Sequence, residues 1–290
     1  MGNADLLQEV DEGKIQTVLD VLHGDEDWPF SFFMHQMIKM MVEFKKSSYC
    51  NFKQRLFTVG NNTENGTFIV LTSFQGSSAG ITYIHLYSSG DETPDIAQAL
   101  QDSTVPWETD QIVFDVVYGS VRPYVLDVLK TKGLKYNEVT NSLYWISPVE
   151  EHKVDERTPP SDVTVLFLNE GHAKEINEKW PLKFLDSENV IKDCILTSFG
   201  MGVARKSDRK LLSYVVLNHA GAIFILHTEP EEQHKGYDTL LISSVVREMN
   251  KRRRTPIAIV TNRDSATENV LKEFNFVPFI PTKYYAVTRL

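Results

Sequence analysis

Between residues 221 and 261 the sequence reads as a strand, a turn, a helix and a second strand. Residues 221–227, GAIFILH, form a short apolar run of the kind that makes a buried strand. After a turn marked by proline and glycine, residues 236–250 carry apolar side chains at helical spacing. Residues 256–261 are again short and apolar. Because parallel strands need a long crossover connection, which is usually a helix, this segment predicts a βαβ unit.

The rest of the chain mixes the same two periodicities. Strands are expected at 55–59, 67–74, 80–86, 111–117, 142–147, 163–168, 200–205, 211–217 and 284–288. Helices are expected at 6–22, 30–44, 94–101, 123–131, 170–179, 187–197 and 266–274. The fold class is therefore α/β, in the broad sense that includes α+β.

A polar stretch near the middle of the chain predicts a domain boundary. Residues 149–162, VEEHKVDERTPPSD, are highly charged and end near two consecutive prolines, while apolar segments lie on both sides. A chain of 290 residues is also long enough for two domains at ~100–200 residues each. We expect an N-terminal α/β domain at 1–155 and a second domain at 160–290.

Charge and cysteine content exclude several classes of function. Thirty Lys and Arg against 39 Asp and Glu give a net charge of −9, which disfavours nucleic acid as a partner. Cys50 and Cys194 are too few for a zinc site or a disulfide framework, so we expect no metal and a cytoplasmic or other reducing intracellular location. The acidic N-terminus and the lack of a long apolar run predict neither an export signal nor a membrane partner. The oligomeric state is left open.

The turn before residue 236 has the features of an anion site. A helix N-terminus presents unpaired N–H groups and a partial positive charge, both of which favour a phosphate. Gly236 lets the backbone approach a ligand that a Cβ atom would keep away. Many strand-to-helix turns contain one glycine and bind nothing, so the turn alone leaves the chemistry open.

A resemblance to a known family is found at Gln233, Gly236 and Asp238. Their spacing resembles the acyl-CoA-binding motif of the GNAT superfamily of N-acyltransferases: an Arg or Gln, two residues, a Gly, one residue, and a Gly or Ala. Further segments resemble the glycine N-acyltransferase-like branch of that superfamily: 163–165, His172-Ala173, Trp180, 212–216 and 269–278. The resemblance covers 163–290 well and the first half loosely, through Trp28-Pro29. It implies a GNAT fold for the C-terminal half and a divergent GNAT-like copy for the N-terminal half.

The resemblance also implies the ligands and the residues that hold them. The co-substrate would be acyl-CoA or acetyl-CoA, and the partner a small-molecule amine such as an amino acid, acylated by direct attack on the thioester. The residues implied in CoA binding are Ile225, Leu226, His227, Gln233, His234, Lys235, Gly236, Tyr237, Asp238, Asn262 and Asn269.

Three positions depart from the family pattern. Ala222 stands where the branch carries the Glu understood as its general base, and Leu271 stands where many members carry a Tyr that protonates the thiolate. Asp238 replaces a Gly or Ala, and its carboxylate would either repel a pyrophosphate or point to water and favour the helix dipole. A catalytically degenerate acyl-CoA-binding or interaction module is therefore the alternative to an enzyme, and a scaffold that binds no CoA is a third possibility.

Three side chains remain as candidate catalytic groups. His227 has the intrinsic pKa of a base near neutral pH, although a histidine at a strand end also fits a structural role. Glu229 would need a raised pKa to act as a base, and it also fits a surface turn. Tyr285 could supply an acid, and core packing is the alternative for an inward-facing tyrosine on the last strand.

Overall fold

The computed structural model describes residues 6–24, 30–46, 51–60, 63–64, 66–74, 80–89, 95–101, 104–261 and 264–288. The chain forms two compact units. Residues up to 46, 51–141 and 280 onward make the first unit, and residues 142–279 belong to the second. The divisions at 141/142 and 279/280 fall inside two strands, so each of these strands contributes residues to both units. The predicted mixed α/β class is confirmed.

The first unit is a mixed sheet with helices. Its elements are β1 (Leu7–Glu9), α1 (Ile15–Gly24), α2 (Phe30–Phe44), β2 (Phe52–Val59), β3 (Thr67–Phe74), β4 (Ile81–Ser88), α3 (Asp95–Leu100), β5 (Gln111–Val117), α4 (Arg122–Thr131) and the first part of β6 (Lys135–Trp145). Strands β1 to β4 pair antiparallel in chain order, and β4 pairs parallel with β5. The last strand of the chain pairs antiparallel with β5.

The second unit repeats this pattern. Its elements are the end of β6, α5 (Pro148–Glu151), β7 (Val163–Phe167), α6 (Ala173–Lys179), α7 (Ser187–Thr197), β8 (Gly200–Arg205), β9 (Leu211–Leu217), β10 (Ile223–Thr228), α8 (Tyr237–Lys251), β11 (Ile257–Thr261), α9 (Ser265–Glu273) and the start of β12 (Val277–Thr288). Strands β7 to β10 pair antiparallel in order, and β10 pairs parallel with β11. The predicted βαβ unit is therefore β10, α8 and β11.

Helix α8 supplies much of the core of the second unit. Its apolar face, which includes the fully buried Leu241 and Val245, packs with Val215 of β9, Ala258 of β11 and Leu271 of α9. Burial of a side chain such as Leu241 contributes about 1.5–3 kcal/mol. Because this core holds both ends of α8 against the sheet, the N-terminus of the helix is fixed at the carboxyl end of β10.

The expected helix at 6–22 is wrong at its start. Leu7–Glu9 form the strand β1, which pairs with residues 57–59 of β2, and the α-helix begins at Ile15. Apolar spacing over three residues does not separate a helix from a strand, so the pairing with β2 decides the local structure. The two shared strands are also longer than expected, because the polar residues 135–141 and the proline-containing residues 277–283 extend β6 and β12.

The polar stretch at 149–162 lies in the second unit and contacts two of its helices. Ser243 Oγ of α8 donates a hydrogen bond to the carbonyl oxygen of Asp155 at 2.6 Å. Arg157 forms an ion pair with Glu273 of α9 at 3.0 Å. The domain limits given above stay a prediction. None of the helices in the described ranges combines the length and the apolar character that a membrane span needs.

Candidate functional site

Strands β10 and β11 separate soon after they begin. Strand β10 stays paired with β9 as far as Thr228, but in the described chain its parallel ladder with β11 contains one pair, Ile223 with Ala258. From Ile225 onward, the edge of β10 that faces β11 therefore has no ladder partner among the described residues. Main-chain N–H and C=O groups on such an edge are available to an extended ligand.

A β-bulge lies at the point where the strands separate. The register between β10 and β9 shifts between Ile223 and Ile225, which leaves Phe224 as the extra residue. The Phe224 ring packs edge to face against Trp180, with ring centroids 5.0 Å apart. A bulge bends its strand and increases the local twist, and here the aromatic contact holds the bent strand next to the end of α6.

The turn from Gln233 to Asp238 presents free backbone donors. Gly236 has φ +76°, and a Cβ atom built on it would meet nothing closer than Thr239 Oγ1 at 4.0 Å. Within the described chain, the backbone N–H groups of this turn donate no hydrogen bond to another protein group. The 15-residue helix α8 begins immediately afterwards. Free donors at the start of a long helix, beside open space, form a favourable position for a phosphate.

Charged side chains surround this turn. Glu232 accepts hydrogen bonds from Lys235 Nζ at 2.7 Å and from Arg205 at 3.1 Å, and Lys235, followed by Arg205, lowers the pKa of Glu232. Asp238 Oδ1 accepts from the backbone N–H of Thr239 at 2.8 Å, so this carboxylate is bonded within the first turn of α8. Of the two alternatives for Asp238, this geometry fits the helix-terminal one.

A polar cluster lies at the carboxyl end of β10. His227 is paired with Tyr214 of β9 in the ladder, and their ring centroids are 5.1 Å apart. His227 Nε2 lies 3.5 Å from Glu229 Oε1, and Lys179 Nζ of α6 lies 2.5 Å from that same oxygen. Lys179 also forms an ion pair with Glu175 at 2.8 Å. The structure thus brings two of the predicted catalytic groups together with three side chains that the sequence does not single out.

The electrostatics of the cluster set its protonation. Burial lowers the pKa of His227, and Lys179 adds to this effect, while Glu229 opposes it. Burial raises the pKa of Tyr214 well above its usual value, with smaller contributions from Glu229 and Glu175. At neutral pH His227 is therefore a neutral imidazole and Tyr214 a protonated phenol. His227 Nε2 and Tyr214 Oη are shielded from solvent and make no hydrogen bond within the described chain.

The remaining predicted residues lie apart from this cluster or outside the described chain. Tyr285 is in the first unit, where its hydroxyl accepts a hydrogen bond from Arg122 Nε at 2.8 Å, and burial raises its pKa to about 12. Asn269 is exposed on α9, and Asn262 is outside the described residues. Leu271 is fully buried in the core. Roles for Tyr285, Asn262 and Asn269 therefore stay predictions.

No group of three His, Cys, Asp or Glu side chains within the described ranges is arranged to hold a metal ion. Cys194 is buried and free, and Cys50 lies outside the described residues. The chemistry that the cluster itself offers is proton transfer at His227 Nε2.

The buried His219, in the turn between β9 and β10, should make the stability of the folded chain depend on pH. Burial lowers its pKa to about 3, so the unfolded chain binds this proton near pH 6.5 and the folded chain does not. The free energy of unfolding therefore decreases as the pH falls below about 6.5. At pH 5 the contribution of this group to that decrease is up to about 2 kcal/mol. Urea unfolding at pH 7 and pH 5 should show a smaller difference for His219→Gln than for wild type. An equal difference would remove His219 as the cause.

Comparisons with known proteins agree with this architecture. The family described as FR47-like protein matches residues 200–285, which contain β10, the turn, and Tyr214, His227 and Glu229 of the polar cluster. No curated protein has a sequence similar enough to match this chain.

Three solved structures share the fold. A protein from Drosophila is 14% identical, with a TM-score of 0.85 and coverage of 99% of both chains. A tandem GNAT protein from the clavulanic acid biosynthesis pathway is 9% identical, with a TM-score of 0.56 over 97% of this chain and 98% of its own. A GCN5-related N-acetyltransferase from Sphaerobacter thermophilus is 9% identical, with a TM-score of 0.51 over 98% of this chain and 94% of its own. At these identities the similarity defines the fold, which is a GNAT fold with a second GNAT-like half.

Proposed function

We propose that the second unit binds acyl-CoA and transfers its acyl group to the amine of a small molecule. The observation that carries this proposal is the continuity of two features. Beyond the pair of Ile223 with Ala258, the edge of β10 has no ladder partner among the described residues, and residues 229–232 then lead to the turn at 233–238, where no backbone N–H donates to a described protein group. An extended ligand with a phosphate at one end matches this arrangement, and acyl-CoA has that form.

Binding would use mainly the protein backbone. Main-chain groups of Ile225, Leu226 and His227 would hold the pantetheine arm, and the N–H groups of Gln233–Asp238 would hold the pyrophosphate. Lys235 and Arg205 lie beside the turn, but Glu232 pairs with both and Asp208 pairs with Arg205, so the backbone N–H groups would supply most of the attraction for the pyrophosphate.

Catalysis requires a proton acceptor for the attacking amine. In the proposed step the amine nitrogen bonds to the thioester carbon, the carbon–sulfur bond breaks, and CoA leaves as a thiolate that takes a proton from solvent. The proton lost by the amine passes to His227 Nε2, an imidazole nitrogen that makes no hydrogen bond within the described chain. Glu229, the second predicted catalytic residue, then stabilises the imidazolium from 3.5 Å.

The acceptor class rests on the resemblance of the second half to the glycine N-acyltransferase-like branch. We propose an amino acid as the amine, because residues 163–165, 212–216 and 269–278 carry that resemblance. We also propose a reducing compartment such as the cytoplasm, on the basis of the low cysteine content.

Ala222 and Leu271 favour a second candidate function, an acyl-CoA-binding module without catalysis. Both side chains are fully buried and apolar, in the positions where the branch carries its base and many GNAT members carry their acid. Such a module would bind CoA but would not release thiol.

A panel of acyl-CoAs against amino acids and simple amines, read by release of free CoA thiol, separates these functions. The proposed enzyme releases thiol only when a suitable amine is present, and N-acylated product appears in equal amount. Thermal stabilisation by CoA, which grows as RT ln(1 + [L]/Kd), without thiol release for any amine would favour the module. Absence of both stabilisation and release at millimolar CoA would contradict both functions.

A further inference from the structure

One carboxylate oxygen lies between two nitrogen atoms in the polar cluster. Glu229 Oε1 accepts from Lys179 Nζ at 2.5 Å, while His227 Nε2 is 3.5 Å from the same oxygen. The first contact is a hydrogen bond between two charged groups, and the second distance exceeds the normal hydrogen-bond range of about 2.7–3.2 Å. Lys179 therefore holds the oxygen that would otherwise be the natural partner of His227.

Helix α6 fixes the position of Lys179. Glu175, one turn earlier on the helix, accepts from Lys179 Nζ at 2.8 Å, so the ammonium is bonded to two carboxylates. The Lys179 side chain is 30% exposed and that of Glu229 only 12%, so solvent and salt screen this pair less than a surface pair. The contact joins residues 50 positions apart in the sequence, so it depends on the tertiary fold.

We propose that Lys179 is a positioning residue for the acyl transfer: by holding Glu229 Oε1, it keeps this carboxylate from hydrogen-bonding His227, which then meets the amine as a neutral imidazole with a free Nε2. This inference rests on the proposed function, in which His227 accepts the proton of the amine.

The charges that face His227 give the direction of the effect. Glu229 follows β10, Tyr214 contacts the ring from β9, and α6 contributes Lys179, which is itself paired with Glu175. Burial and Lys179 lower the pKa of His227, whereas Glu229 raises it. In Lys179→Met the positive charge is gone and Glu229 is free to approach Nε2, so both changes favour the imidazolium and the pKa of His227 rises.

The first test follows the His227 ring protons by NMR during a pH titration of the full chain. Lys179→Met should raise the pKa of His227, and Lys179→Arg, which keeps the charge, should restore a value near that of wild type. Lys179→Gln serves as a second uncharged variant should Lys179→Met fold poorly. Lys174→Met is the matched control, because Lys174 is exposed on the same helix. An unchanged His227 pKa in the folded uncharged variants would overturn the inference.

The second test compares the pH dependence of acyl transfer. At pH 6, kcat/KM of Lys179→Met should fall by about threefold or more relative to wild type, while the two should converge above pH 8, because His227 is then neutral in both. An equal loss at every pH would show a structural role and overturn the inference. The titration does not depend on activity. If Lys179→Met raises the pKa of His227 but the wild type releases no thiol, the proposed function is contradicted, whereas the effect of Lys179 on His227 is supported.

Discussion

Gly236→Glu should weaken CoA binding by at least about a hundredfold while the chain remains folded. The Cα of Gly236 faces open space at the turn, so a side chain there does not collide with the protein. It instead places a carboxylate where the phosphates would lie, and two like charges about 4 Å apart near a protein surface repel by about 4 kcal/mol. A hundredfold change in Kd corresponds to about 2.7 kcal/mol. Isothermal titration with CoA measures the effect.

Two controls separate charge from backbone strain in this experiment. Gly133→Glu adds the same side chain at another glycine with positive φ, +63°, where a Cβ atom also meets nothing within 4 Å. It should cost a similar amount of stability, roughly 1 kcal/mol, without changing the Kd for CoA. Gly236→Ala adds the strain without the charge, so it should weaken CoA less than Gly236→Glu. Equal CoA affinity in wild type and folded Gly236→Glu would remove this turn from the site.

His227→Gln should reduce kcat for acyl transfer by about a hundredfold to ten-thousandfold, the usual loss when a general base is removed. The Kd for CoA should stay within about twofold, because the main chain and not the imidazole is proposed to hold the pantetheine arm. Thiol-release kinetics and CoA titration of the same preparation measure the two quantities. A lower kcat with an unchanged Kd for CoA would show that this side chain acts in the chemical step and not in CoA binding.

His152→Gln is the matched control for this variant, since His152 is exposed near α5 in the same unit and should leave both quantities unchanged. A His227→Gln protein with wild-type kcat would show that another group accepts the amine proton. Loss of CoA affinity together with kcat would assign His227 to binding or to local structure.

Much of the second unit follows from local sequence patterns. The helix at 187–197 and the strands at 200–205 and 211–217 have the predicted bounds, because their apolar periodicity agrees with the tertiary environment. The conformation around Gly236 also follows from local sequence, since its positive φ and the helix that follows are both local properties. The turn and the helix of the candidate site are therefore predictable from residues 221–250.

The polar cluster was only partly predictable. His227 and Glu229 lie close together in sequence, so a single stretch indicates them, but Lys179 and Tyr214 reach the cluster through helix packing and strand register. No periodicity specifies which lysine of a helix will meet a carboxylate 50 residues later. Local pattern likewise cannot show that Tyr285 belongs to the first unit, because that assignment depends on the pairing of β12 with β5.

Amide hydrogen exchange with and without CoA tests the central claim most directly, because it reports each backbone N–H that the site is proposed to use. Within the part of the chain that the structure describes, the N–H groups of Gln233–Asp238 have no acceptor, so they should exchange fast in the free protein. Saturating CoA should slow their exchange by at least about tenfold and should also protect residues 225–227 on the edge of β10 that faces β11. CoA that binds without protecting either segment, or that protects only the first unit, would contradict the account.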